Sequence, residues 1–305
     1  MAENILELDG VLKTYGNYTA VNRVSFEVPK GSIFGLLGPN GAGKTSLIRI
    51  ITTITRADAG LVRLDGVPLN SRHPDYIGYM PEERGLYKKM KVGEHLLYLG
   101  QLKGLDKAAA QKELAYWFEK FEIRDWWNKK VEELSKGMQQ KIQFIATVLH
   151  RPKLLILDEP FSGLDPINTN LIKDEIEELR QKGVSILFST HRMEQVEEIC
   201  ENIVLINKGS VILNGSVKDI KNQFKENLFR IDFEGELPSD FASQAAVTDF
   251  KPGYVTVKMA EGQSPNALLK FFLDKGLEIH AFNEILPSLN EIFIGRVGAS
   301  NEAAQ

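Results

Sequence analysis

Residues 38–45 read GPNGAGKT, and this loop decides the fold. Gly38, Gly43, Lys44 and Thr45 fit the phosphate-binding pattern G-x-x-x-x-G-K-[ST]. Each residue type has a task. Glycines let backbone N–H groups turn inward and approach phosphate oxygens closely. The helix that follows adds the positive end of its dipole. Lys44 would reach β- and γ-phosphates, and the Thr45 hydroxyl would face Mg²⁺. Gly38, Pro39, Asn40, Gly41, Ala42, Gly43, Lys44, Thr45 and Ser46 are therefore the candidate phosphate contacts. Just before them, SIFGLLG (32–38) is an apolar run of strand type; just after, SLIRIITTI (46–54) is helix-like. Strand, loop, helix is the order such a site needs. An ordinary glycine turn is the plain alternative.

The wider composition suits a folded α/β protein. The chain has 305 residues, 43% hydrophobic and 26% charged, which excludes a disordered chain and allows one large domain or two smaller ones. A net charge of −4 gives no electrostatic reason to expect nucleic acid as a partner. Cys200 is the single cysteine, so no internal disulfide forms. No signal peptide is read in MAENILELDG, and no apolar run is long enough to cross a bilayer.

Outward from the loop, ILEL, AVNRVSFEV and GLVRLDG read as strands. Residues 94–122 and 135–150 have helical spacing, the second ending before Pro152. LLILDEP (154–160) is a continuous apolar run closed by two acids, as in a buried parallel strand. VSILFST is another, and IVLINKG with SVILNG predicts a hairpin around Lys208-Gly209. The pattern weakens near Gln223. Beyond it LFRIDF, YVTVKM and LEIHAF read as strands and NALLKFFLDKG as a helix. GASNEAAQ (298–305) reads as a frayed tail. No repeat of the phosphate loop is found.

Phosphoryl transfer needs positioning and charge neutralisation more than covalent help. Acids at the C-terminal end of an apolar strand lie where ligands bind in such sheets. Asp158 is placed to hold Mg²⁺ and Glu159 to polarise an attacking water. Solvated acids at a strand end are the plain alternative.

With LSKGMQQK (134–141) added, the chain from residue 4 to about 222 resembles the ATP-binding subunits of ABC transporters. The family signature is usually LSGGQ; Leu134, Ser135 and Gly137 are kept, and Lys136 and Met138 depart. Read alone, Ser135 is a helix N-cap. The resemblance implies a P-loop NTPase α/β core with an antiparallel β subdomain and a helical subdomain (about 86–150). It implies domains at 1–224 and 225–297, the second a small C-terminal α+β accessory domain of regulatory or dimer-stabilising role. The group that carries such a domain tends to be exporter-like.

The resemblance also implies ATP and Mg²⁺ as ligands. Tyr15 of KTYG would stack on adenine, and Asp165 of SGLD would cross between subunits. His191 would touch the γ-phosphate, beside Glu159 as general base and Lys44. Ser135 and Gly137 would reach the γ-phosphate on a second nucleotide-binding subunit, of like or unlike chain. Thr45, Glu82 and Asp158 would surround the metal. Glu82, in IGYMPEERGLY, stands where the family places a glutamine, which puts the usual coupling contact in doubt. Integral membrane permease subunits would be the partners, with the chain on the cytoplasmic face of the membrane. A soluble ABC-type ATPase and a non-hydrolysing regulator are the rival readings.

Overall fold

The computed structural model describes residues 3–83, 85–260 and 262–302. Two compact units emerge, Met1–Ser216 and Val217–Gln305.

The first unit is built on a six-stranded sheet in the order Ser210–Ser216, Asn202–Asn207, Ile33–Leu37, Ser185–Thr190, Leu154–Asp158, Ile77–Met80. All neighbours are parallel except the first pair. The strands Ile33–Leu37, Leu154–Asp158 and Ser185–Thr190 are buried along their whole length. That is why they read as unbroken apolar runs rather than alternating ones. Leu154, Leu155, Ile156 and Leu157 are fully enclosed; each contributes on the order of 2 kcal/mol of transfer free energy before entropy is counted. Because the strands are parallel, their C-terminal ends share one edge. Leu37 lies beside Thr190 and Asp158 beside Ser189. The loop 38–45 and the acids at 158–159 therefore leave the sheet on the same side.

A second sheet is antiparallel, ordered Tyr18–Pro29, Asn4–Tyr15, Ala59–Leu64, Val67–Pro68. Its Leu6, Val24 and Phe26 join Phe34 and Leu36 of the parallel sheet and Leu47, Ile48 and Ile51 of the helix Lys44–Ile51 in one core. The Lys208-Gly209 hairpin forms as predicted, with both residues in the left-handed region (φ 48° and 77°), as a type I′ turn requires.

The helical block comprises Val92–Leu102, Lys107–Lys120 and Lys136–Val148. Gly104 at φ 87° ends the first helix. Asp106 starts the second by accepting from the Ala109 N–H at 2.7 Å, so the predicted 94–122 stretch is two helices. Trp117 of the second helix and Phe121 at its end make edge and tilted ring contacts with Phe144 of the third.

The second unit is a four-stranded antiparallel sheet, ordered Ala246–Lys251, Tyr254–Lys258, Leu228–Glu234, Glu278–Ile285, with the helix Pro265–Asp274. Ile231, Phe233, Phe241, Val255, Val257 and Phe272 form its core. The helix Val217–Gln223 falls in this unit, so the boundary lies before it rather than at 224. It packs on the helix Leu289–Glu302, where the Arg296 guanidinium stands 4.8 Å over the Phe224 ring. That last helix runs through residues 298–302, where the sequence predicts a tail. Residues 303–305 lie outside the described ones.

Candidate functional site

The loop from Gly38 to Gly43 is pinned from several sides. A Cβ at Gly38 (φ 153°) would sit 2.2 Å from the Ile206 carbonyl oxygen, and one at Gly43 (φ 109°) 2.2 Å from that of Ala20. Only glycine lets the backbone pass there. The Gly209 N–H donates to the Ala42 carbonyl at 2.8 Å, so the hairpin turn props the loop. Gly43 caps the helix Lys44–Ile51 without any side-chain hydrogen bond, which leaves its first N–H groups pointing out as an anion site. The buried Lys44 Nζ donates to the Gly38 carbonyl at 2.6 Å and to that of Pro39 at 3.2 Å. Burial lowers the Lys44 pKa, against the opposing pull of Glu159, Asp158 and Glu82.

A cavity of about 330 Å³ is lined by Tyr18, Ala20, Asn40, Gly41, Ala42, Gly43, Lys44, Thr45, Ser46, Glu82, Asp158 and Glu159. It brings most of the candidate phosphate and metal residues together. Burial raises the Asp158 pKa; the Ser189 hydroxyl (2.7 Å to Oδ1) and Lys44 oppose that rise, and Glu159 and Glu82 add to it. Burial likewise pushes the nearby Tyr79 phenol up to about 12. Glu159 stands at φ 51°, a conformation that costs a non-glycine residue of order 1 kcal/mol or more. Its carboxylate is held at both oxygens. Oε1 faces the His191 N–H at 2.8 Å and His191 Nδ1 at 2.7 Å, and Oε2 accepts from the Thr190 hydroxyl at 3.0 Å. Among the described residues no group of three or more His, Cys, Asp or Glu has metal-binding spacing.

Not all the candidates meet there. Tyr15 ends its strand, half exposed, with Lys13 Nζ 5.5 Å from its ring centre. The residue at the cavity is Tyr18, opposite it in the hairpin, whose hydroxyl donates to the Gly41 carbonyl at 3.2 Å. Ser135 caps the helix Lys136–Val148 through the Met138 N–H at 3.3 Å. Asp165 caps Pro166–Gln181 through the Asn168 N–H at 2.9 Å. A Cβ at Gly137 would lie 3.7 Å from Leu164, so LSKG and SGLD are neighbours, and neither lines this chain's own phosphate loop cavity. Arg84, two residues after Glu82 in IGYMPEERGLY, lies outside the described residues.

Sequence reasoning missed Tyr18, Ser189, Thr190, Gln140 and Gln143. The two hydroxyls carried a signal: polar residues closing an otherwise apolar strand, next to His191. The glutamines lie on the helix that follows Ser135. Gln143 Nε2 donates to the Pro81 carbonyl at 2.7 Å and Gln140 Nε2 to that of Pro160 at 2.9 Å, bracing the loops that carry Glu82 and Glu159. A larger cavity, about 830 Å³, lies at the opposite ends of the strands, among Lys30, Asp65, Glu113, Arg151 and Lys153. Three of its cations are paired within the chain, Lys30 and Lys153 with Asp65 and Arg151 with Glu113.

Residues 21–162 match the family model described as ABC transporter, and residues 215–297 the one described as the C-terminal domain of DrrA1-3-like ATP-binding proteins. The chain is 47% identical to the uncharacterized ABC transporter ATP-binding protein YhaQ of Bacillus subtilis (strain 168), over 98% of this chain and 100% of that protein. It is 28% identical to the daunorubicin/doxorubicin resistance ATP-binding protein DrrA of Streptomyces peucetius, over 96% and 92%. A solved ATP-binding subunit of an ABC transporter superposes with a TM-score of 0.68 at 30% identity, over 72% of this chain and 93% of that one.

Proposed function

The chain belongs to the ABC transporter ATP-binding proteins, a family of ATPases, and on that basis we propose that it cleaves ATP in the loop–acid cavity to drive export through partner membrane subunits. One observation carries the reading: Lys44, Asp158 and Glu159 converge on one cavity at the C-terminal edge of the parallel sheet, where such sheets bind ligands.

ATP lies with its phosphates on Gly38–Ser46, cradled by loop and helix N–H groups. Lys44 exchanges its bonds to the Gly38 and Pro39 carbonyls for bonds to phosphate oxygens. Tyr15 offers a ring face to adenine, and Tyr18 braces the loop at Gly41. Glu159 takes a proton from the attacking water while His191 holds it in place.

The donor set fits Mg²⁺. Thr45, Asp158 and Glu82 supply only hard oxygens, and burial of Asp158 favours a nearby cation. Such an ion keeps several waters and shares substrate phosphates, so a few chain oxygens suffice. Bound there, Mg²⁺ would neutralise charge on the β- and γ-phosphates. Glu82→Gln should therefore raise the Mg²⁺ concentration for half-maximal ATPase several-fold while ATP still binds, since one carboxylate leaves the cation's surroundings. An unchanged Mg²⁺ titration removes Glu82 from that role.

Two copies, or this chain and an unlike one, close head to tail, so that Ser135 and Gly137 of one face the triphosphate of the other. Asp165 lies at the seam. The Glu82 loop and the helices of 86–150 meet the membrane partner, and the chain works at the cytoplasmic face. Export is favoured by likeness to DrrA, whose name gives a drug-resistance role. Affinity purification of the tagged chain from detergent-solubilised membranes should recover a polytopic protein that stimulates its ATPase after reconstitution. Recovery of the chain alone, with an ATPase rate indifferent to membranes, favours the soluble reading.

A further inference from the structure

Thr190 closes a fully buried strand, with Ile186, Leu187 and Phe188 before it. Valine has the same shape and suits such a strand at least as well. The hydroxyl therefore calls for an explanation, and its bonds supply one. Thr190 Oγ1 accepts the Arg192 N–H at 3.0 Å and lies 3.0 Å from Glu159 Oε2. One lone pair takes the Arg192 N–H, and the single proton goes to Oε2.

The same count applies to Glu159. Each carboxylate oxygen has two acceptor positions. At Oε1 both are filled, by the His191 N–H and by Nδ1, which must carry a proton because two facing lone pairs at 2.7 Å would repel. At Oε2 the described residues fill one, from Thr190.

We infer that Thr190 is a positioning residue for hydrolysis, and that it aims Oε2, whose second lone pair no described residue takes, at the attacking water. In the step this implies, a new bond forms between the water oxygen and the γ-phosphorus. The phosphorus–oxygen bond to ADP breaks and its electron pair leaves with ADP. The water's proton passes to Oε2. The inference rests on Glu159 as general base.

The test compares Thr190→Val, Thr190→Ser and Glu159→Gln in the full chain, reading kcat, KM for ATP and nucleotide affinity by calorimetry. Thr190→Val keeps the packing and removes the aim. It should lower kcat by about 10- to 100-fold, the scale expected for a misplaced catalytic group, with KM and ATP affinity within about twofold. Thr190→Ser, which restores the hydroxyl and also guards against a folding defect, should return kcat to within about threefold of the parent. The idea is overturned if Thr190→Val turns over at the parental rate while Glu159→Gln does not. It is overturned equally if Thr190→Ser is as slow as Thr190→Val, or if ATP affinity falls in step with kcat, as packing damage would cause. Parental turnover by Glu159→Gln instead removes the general base itself.

Discussion

Glu159→Gln is expected to lower kcat by about 1000-fold, within the range a general base contributes, while ATP affinity stays within a few-fold of the parent. The geometry says why the loss falls on chemistry alone. Glutamine has the shape of glutamate, so the left-handed backbone at φ 51° and the fit beside Ser189 are unaffected. Its orientation is dictated by its neighbours. His191 presents two donors on one side, so the amide oxygen must face His191, and the NH₂ group must face Thr190. Nitrogen then occupies the position of Oε2, where it has no lone pair to offer a water. The Thr190 hydroxyl, which keeps the Arg192 N–H on one lone pair, accepts the NH₂ on the other and gives up its own bond to the side chain. Bound ATP should persist uncleaved, and the proposed head-to-tail dimer should accumulate. Size-exclusion chromatography with ATP should show the variant as a dimer and the parent as a monomer–dimer mixture. Parental turnover by the variant sinks the assignment.

How much of this was legible in the chain depends on the range of the interaction. GPNGAGKT announced the loop because its glycines answer to local backbone geometry, at Gly38 and Gly43 above all. LLILDEP announced its strand because burial on both faces removes alternation. Ala246–Lys251 went unread for the converse reason: every residue of that edge strand is exposed, so no pattern marks it. Tyr15 and Tyr18 show a different limit. Both flank the turn Gly16-Asn17, and sequence cannot say which leans toward Gly41; the resemblance chose Tyr15, whereas the cavity wall contains Tyr18. Gln140 and Gln143 were invisible because their partners, the Pro160 and Pro81 carbonyls, are 20 and 62 residues away. What was missed is what long-range pairing decides.

Lys44→Ala makes the second large demand, on binding rather than on chemistry. Among the described residues, Lys44 is the cation that lines the cavity with Glu82, Asp158 and Glu159. Without it three carboxylates face a polyanion. One charge pair at 4 Å is worth roughly 1 to 4 kcal/mol between watery and protein-like dielectric, so ATP affinity should fall about 100-fold. Folding should not suffer with it. Nζ is held by two carbonyls, and burial depresses the lysine's pKa, which means that the charged form is unfavourable where it sits. Removing that cost should leave the melting temperature of the nucleotide-free variant equal to the parent's or higher. The two signs together separate lost affinity from a damaged fold. Calorimetric titration with ATP beside a thermal melt checks both. Parental affinity would remove Lys44 from the phosphate site, and a lowered melting temperature would show that the lysine supports the loop rather than the ligand.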